Sequence, residues 1–365
     1  MATNKTYVAI GEEAARGTKE ATTVSFLPLV AVPKIKFEPK DEARKQVRGE
    51  QSSLGATAMR RYQRAWSGGL EIEGYSEGGT VKGGIGTIIK HFLGKMASAQ
   101  NGVTGQYLHF GYPVADPFAA ANLAGKALTL NENTNEGDTM KNYPWVGGRV
   151  KGITFAQEPG QSLKITPDFF GQFRDAITAE IGSPAFPAEN LRFDASHCKL
   201  YTGTITRTGS APDYTQFAFG SATLIKPDKL TIKLEDGKSD ALRLAGVNYA
   251  DKTRMAGLVK ATLEMTIDLE DPASGFSSVD DFNLWYSDIT SYINFCAVWD
   301  TGVQAGTGDN HMLIIDLPVM ARKGGEPDRS PDKDPMITLA YESLLDLTTT
   351  QYPFGIALKN TGATV

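Results

Sequence analysis

The chain has 365 residues, 41% of them hydrophobic, and a formal net charge of −5. That is enough apolar material for one large duplicated domain or for two or three smaller ones, and the acidic balance argues against a general nucleic-acid binder. Two cysteines, Cys198 and Cys296, exclude a disulfide framework; buried free thiols and assembly in a reducing cytoplasm are expected. No run approaches the ~18 apolar residues that cross a bilayer, and the opening MATNKTYVAIGEEAARG lacks the apolar core and cleavage site of a signal peptide.

In chain order, alternation predicts strands over 6–10, 25–32 and 34–37, with a polar loop over 11–18 and breaks at Pro28 and Pro33. Residues 41–66 carry many charges and little apolar period, and long excursions of this kind tend to have a function. Alternation resumes over 70–75. Residues 85–97 place Ile85, Ile88, Ile89, Phe92, Leu93 and Met96 on one helical face. The Gly- and Asn-rich stretch 119–142 reads as an exposed loop. A hairpin about Pro159-Gly160 joins strands over 148–156 and 161–166, and 182–189, with Pro184 and Pro187, connects two halves. Further strands are predicted over 199–206, 217–225, 230–234, 261–269, 311–319 and 336–341. A second helix is predicted over 279–293, with Ser278 at its start and Phe282, Leu284, Trp285, Ile289 and Ile293 as its stripe. The charged loop 322–335 is expected to project into solvent or toward a partner.

The chain nearly repeats itself. After Pro33 runs KIKFEPKDEARKQVRGEQSSLGATAMRRYQRAWSGGLEIEG; after Pro227 runs DKLTIKLEDGKSDALRLAGVNYADKTRMAGLVKATLEMTID. Each passage has a strand, an Arg close before a Gly (Arg48-Gly49, then Arg243 and Gly246), a polar stretch, and a second strand around Leu-Glu (Leu70-Glu71, Leu263-Glu264). A helix and more strands follow each. The predicted class is mainly β (α+β), with two tandem β-sandwich or barrel units over 1–185 and 186–365, each with a flanking helix.

Charge is unevenly spread. Residues 34–64 hold nine Lys or Arg against four acids, whereas 261–321 hold ten acids and no Lys or Arg. Solvated faces account for both poles; docking between copies, or an acidic channel wall, is the sharper reading. Catalytic and ligand-binding signatures fail. Gly83-Gly84-Ile85-Gly86 lacks the Gly-Lys-Ser/Thr that completes a phosphate loop. His91, His109, His197 and His311 have no partner at chelate spacing other than Cys198, which on a strand would point away from His197. Asp280-Asp281 and Glu270-Asp271 lie in no catalytic or calcium-loop pattern. No enzyme, metal or cofactor is expected.

In combination, several segments resemble the tail tube protein (major tail protein) of long-tailed bacteriophages: Gly11, Glu12 and Gly17-Thr18; the excursion through Arg48-Gly49 into Gly69-Leu70-Glu71-Ile72-Glu73; the helix with Phe92-Leu93-Gly94; the strand from Arg149-Val150 to Phe155 with 162–166; and the closing Ile356-Ala357-Leu358-Lys359-Asn360. Length and duplication favour the non-contractile kind. The resemblance implies a structural virion protein whose copies form stacked rings, the hollow tube through which DNA is ejected. Duplicated members are similar to two fused subunits, so a homotrimeric, pseudo-hexameric ring is expected. Implied partners are further copies of the chain, a tape measure protein, and tail terminator and tip proteins. DNA would pass without specific binding, no membrane is involved, and the site of action is the virion tail after assembly in the host cytoplasm. Candidate inter-ring or inter-subunit contacts are Glu12, Glu13, Arg16, Arg44, Lys45, Arg48, Arg60, Arg61 and Arg64. Glu264, Asp268, Glu270 and Asp271 are candidates for the lumen or its rim, because a basic lining would retain DNA. The stretches 119–142 and 322–335 fall outside the resemblance. A capsid or head–tail connector subunit is the alternative within virions, and a carbohydrate-binding β-sandwich the alternative outside them.

Overall fold

The computed structural model describes residues 6–43, 59–78, 83–100, 105–137, 139–241, 248–250, 252–287, 292–325, 327–328 and 334–364. The first half contributes β1 (Thr6–Glu12), β2 (Val24–Leu27), β3 (Lys34–Phe37), β4 (Lys40–Ala43), β5 (Met59–Gln63), β6 (Trp66–Gly69), β7 (Ile72–Glu73), helix α1 (Ile85–Leu93), β8 (Ala97–Gln100), β9 (Tyr107–Gly111), β10 (Leu128–Glu136), β11 (Thr139–Gln157), β12 (Lys164–Gly171), β13 (Phe173–Arg174) and β14 (Thr178–Ala179). The second contributes β15 (Cys198–Ser210), β16 (Asp213–Ile225), β17 (Lys229–Glu235), β18 (Lys238–Ala241), β19 (Lys252–Met255), β20 (Lys260–Asp268), helix α2 (Ser278–Ser287), β21 (Tyr292–Gln304), β22 (Asn310–Gly324), β23 (Pro327–Asp328), β24 (Met336–Ser343) and β25 (Gly355–Asn360). The protein is mainly β.

One continuous antiparallel run crosses both halves in the order β3–β6–β12–β11–β17–β20–β24–β22. The first four strands and the last four follow the same rule. Along the chain each set is first, second, third, fourth; across the sheet each lies first, second, fourth, third. In each set a two-stranded arm leaves between the first and second strands, β4–β5 in one and β18–β19 in the other. In each set a helix lies in sequence between the second strand and the third.

The third strand of each set is long because it serves two layers. Residues 139–148 of β11 pair with β10, and 149–156 pair with β12. Likewise 310–321 of β22 pair with β21, and 320–324 pair with β24. Gly147 stands at the turn-over of β11 with φ 72, and a Cβ there would lie 2.3 Å from Gln172 Oε1; only glycine fits. The second layers run β2–β1–β10–β11 and β16–β15–β21–β22–β25. Hairpin β8–β9, though from the first half, extends the latter by pairing with β25. Alternation feeds one shared core: Val8 and Leu130 from one layer pack with Ile153, Ile232, Leu263 and Leu339 from the other.

Two predicted loops need correction. Most of 119–142 is not an exposed loop: β10 and the start of β11 occupy it, and β10 is covered on both faces. Leu128 and Leu130 point to the core, while buried Asn131, Asn133 and Asn142 bond among themselves and to the Glu20 and Ile181 backbone. Asparagine here serves as an internal polar group hydrogen-bonded within the chain, which composition alone reads as turn. Within 322–335, residues 322–324 continue β22 and 327–328 form β23, while 326 and 329–333 lie outside the described residues. Arg322 is buried, with its guanidinium on Asp281 of α2 at 2.5 Å.

Candidate functional site

The two halves meet along an extended joint. Strands β11 and β17 ladder from Gly152↔Glu235 to Gln157↔Leu230, and the arm β18–β19 lies across the first half. Arg16 donates to both carboxylate oxygens of Asp240 at 2.8 and 2.7 Å and to Thr253 Oγ1 at 2.8 Å. Gln172 Nε2 donates to the Ala250 carbonyl at 2.6 Å, the Arg64 amide to the Asn248 carbonyl at 2.6 Å, and Phe173 packs on Tyr249. Lys238, the first residue of the arm, enters the C-terminal turn of α1. Its Nζ donates to the carbonyls of Phe92 at 2.5 Å and His91 at 3.2 Å, and it pairs with Asp236. A cation at this end answers carbonyls that a helix leaves without internal partners. Burial pushes the Lys238 ammonium down and the Asp236 carboxyl up, and their mutual attraction opposes both shifts. Phe92 also stacks on Phe354 of the second half at 6.0 Å.

The candidates near the N-terminus are committed within the chain. Glu13 is fully buried, and its carboxylate accepts from the Gly147 and Gly17 amides at 2.7 and 2.8 Å and from the Thr129 hydroxyl at 2.8 Å; burial raises its pKa. Glu12 accepts from His91 Nε2 at 3.0 Å and from Lys126 at 2.6 Å, with Lys90 at 3.0 Å. The His91 hydrogen bond leads the causes that hold its carboxyl well below the usual range. Arg16 ties this corner to the second arm. Arg64 is exposed beside that arm's Tyr249, Arg60 and Arg61 belong to β5, and Arg44, Lys45 and Arg48 lie outside the described residues.

The outward face of the continuous sheet is polar and finely mixed in charge. Thr231, Thr262, Thr266 and Thr338 alternate with core residues, and four lysines pair with acids: Lys34 with Glu71 at 2.8 Å, Lys233 and Lys260 with Glu235 at 2.7 and 3.2 Å, and Lys323 with Glu342; Lys36, Lys151 and Lys164 share the face. Glu264 is exposed in the middle of β20 and Asp268 at its end on the same face; Glu270 and Asp271 are exposed on the loop that follows. Ser278 holds that loop, accepting from the Glu270 amide and donating to the Asp268 carbonyl.

Each histidine is hydrogen-bonded within the chain. His91 bonds Glu12, His109 bonds Ser98 and Asn360, His311 bonds Ser76, and His197 closes a capping box with Asp194. Both cysteines are free, Cys296 buried and Cys198 partly so, and burial pushes both thiols up. Among the described residues no cluster of His, Cys, Asp and Glu suits a metal ion. Sequence reasoning missed Lys238 and Asp236, although the repeat pointed there: Ile-Lys-Phe-Glu leads to Lys40 and Ile-Lys-Leu-Glu to Lys238. It also missed Leu344, Leu345 and Leu347, exposed after β24. No protein-family model matches the chain, and no curated protein matches it.

Proposed function

We propose that the chain is a structural subunit that assembles edge to edge with copies of itself into rings, and that stacked rings form the tail tube of a long-tailed bacteriophage. One observation carries this reading: the same strand order occurs twice, and the two sets are joined by the β11–β17 ladder into one sheet. Among the described residues β3 ladders only with β6, and the 322–324 and 327–328 strand segments only with β24. The sheet therefore ends on the counterparts of the strands that join it in the middle. A head-to-tail contact of that kind repeats, and closes into a ring when the rotation allows; closure removes the open edges. The chain would thus supply two of the repeating units of a pseudo-hexameric, homotrimeric ring. Its face of mixed charge would line the passage, where Glu264 and the acids paired with Lys34, Lys233, Lys260 and Lys323 weaken the hold on phosphate. Lys34 and Lys36 on β3 are exposed, and lysine on an edge strand discourages wrong pairing before the right partner arrives.

The test is negative-stain electron microscopy of the purified chain at rising concentration, with light scattering. Three-chain rings or hollow tubes are expected. A strict monomer at every concentration overturns the reading.

A further inference from the structure

We propose that α2 and the segment after β24 form a docking surface for the first arm, β4–β5, of a second copy of this chain, and that Lys40 of that copy caps the C-terminal turn of α2. The inference rests on the ring reading above and names the contact that closes it laterally.

The joint inside the chain is the precedent. There the second arm covers two features of the first half. One is the end of α1, entered by Lys238. The other is the stretch just after β12, where Gln172 and Phe173 contact Ala250 and Tyr249. The counterparts in the second half are bare. Helix α2 exposes Leu284 (52%) and Tyr286 (82%), and the residues just after β24 expose Leu344, Leu345 and Leu347. In α1 the residues Ile85, Ile88, Ile89, Phe92 and Leu93 are all buried, whereas in α2 only Ser278 is. The inner side of α2 is already satisfied: Asp281 accepts from Tyr341 at 2.7 Å and pairs with Arg322, whose guanidinium lies over Phe282 and Trp285. What remains uncovered is the side that bears Leu284 and Tyr286, on a helix whose counterpart α1 is met at its C-terminal turn by Lys238 of an arm.

The first arm opens on a lysine as the second does. Lys238 opens β18 three residues after Ile-Lys-Leu-Glu, and Lys40 opens β4 two residues after Ile-Lys-Phe-Glu. Lys238 is buried against a helix end, and Lys40 is exposed. Within one chain β3 and the 322–324 and 327–328 segments lie at opposite ends of the strand order, so the arm beside β3 belongs with the α2 of a neighbour. Apolar residues scattered singly on a surface are ordinary; a patch on the helix and the post-strand segment whose counterparts meet an arm in the other half, with an exposed lysine opening the first arm, points to a partner. The match has one gap: the β15–β16 turn, which stands where the Arg16 loop stands in the first half, carries no arginine, so the Arg16–Asp240 link has no counterpart.

The test uses full-length chains. Leu284→Glu spoils the surface and Lys40→Glu spoils the arm, and both positions are exposed, so each variant should keep the monomer's far-UV spectrum and Tm. Each alone should raise the concentration for half-assembly by about tenfold or more, the loss expected when a charge enters an apolar contact. An equimolar mixture should stop at heterodimers in native mass spectrometry, because an intact arm then meets an intact surface only once per pair. If wild type assembles and the variants assemble at the same concentration, the docking surface is overturned and the ring reading stands. If wild type stays monomeric, the ring reading falls and takes this inference with it. Should a glutamate lower the monomer's Tm, Leu347→Ser and Lys40→Ala replace the pair, with the same outcomes deciding.

Discussion

Helices α1 and α2 occupy the same place in two sets of strands with the same order, yet one is buried on nearly every side and the other is half bare. Their sequences anticipate the difference: IGTIIKHFL has a continuous apolar stripe, while SVDDFNLWYS mixes acids with aromatics. A helix is stabilised mostly by what it packs against, and α1 has a second half of the molecule to pack against. On the proposed ring, the contrast separates folding from assembly within one chain. Residues at the internal joint should govern the stability of the monomer, and their counterparts at the ends should leave it untouched.

The sharpest break of the contrast is a truncation in each helix. Phe92→Ala removes a fully buried ring stacked on Phe354 and should cost about 4 kcal/mol through lost burial and the cavity left behind. Leu284→Ala in α2 should change the monomer by no more than about 0.5 kcal/mol. Urea denaturation at low protein concentration reads both; equal losses would mean that α2 is as integral to the fold as α1.

The lysines give a second pair. Lys238→Met strands Asp236 in a buried site and should cost about 3 kcal/mol, because a buried charge without its partner is expensive. Adding Asp236→Asn should recover part of that. Lys40→Met should leave the Tm of the monomer unchanged. If Lys238→Met is silent, the cap on α1 contributes nothing and the analogy with Lys40 loses its energetic basis.

The corner that anchors α1 also makes stability depend on pH. Burial pushes His91 down to about 4 from 6.5, with Glu12 pulling the other way and Lys90 and Arg149 adding repulsion. An unfolded chain takes up this proton near pH 6.5 and the folded one only near 4, so stability falls as pH drops through that window, by up to about 3 kcal/mol. Glu12, held low, contributes stability above its unfolded value near 4.5 that is lost on further acidification. Glu13, raised by burial, works in the opposite sense and offsets part of the loss. Thermal melts between pH 7 and 4.5 should show falling Tm, and His91→Gln should flatten the slope between pH 6.5 and 4.5. A Tm that rises on acidification would mean that Glu13 dominates the corner.

How much of this was legible depended on whether a residue's chemistry matched its surroundings. Strand β3 and the start of α1 followed directly from alternation and from a helical stripe, and Gly94, with φ 91, ends α1 within the predicted span. Strand β10 was hidden because its polar face is buried: Asn131 and Asn133 look like turn residues until their partners are known. Strand β21 was hidden because Phe295, Ala297, Trp299 and their neighbours are buried on both faces, so no alternation marked it. The repeat was visible in the paired Leu-Glu strands, but its identical strand order was not, since pairing is a property of space. The exposed Leu344–Leu347 segment carried no local signal at all; it stands out only against the covered residues after β12.

The smallest expected effect on stability tests the polar face. Glu264 is exposed at the centre of β20, opposite Thr231 and Ala340, and Glu264→Lys should shift the Tm of the monomer by less than its measurement error, within about 0.5 kcal/mol. Its consequence belongs to the proposed ring. Lys34, Lys233, Lys260 and Lys323 of this face have acidic partners, and Glu264 adds a further acid at its centre, so wild-type rings should show a shallower salt dependence of duplex DNA retention than the variant. An unpaired lysine repeated around the wall steepens it, because each phosphate neutralised adds roughly one to the slope of log affinity against log salt. Rings of the variant should retain DNA at low salt and release it as salt rises, while wild-type rings retain less. Equal, steep salt dependence in both would mean that the face binds nucleic acid in its own right and is unsuited to a conduit, leaving the ring without the property that makes its bore useful.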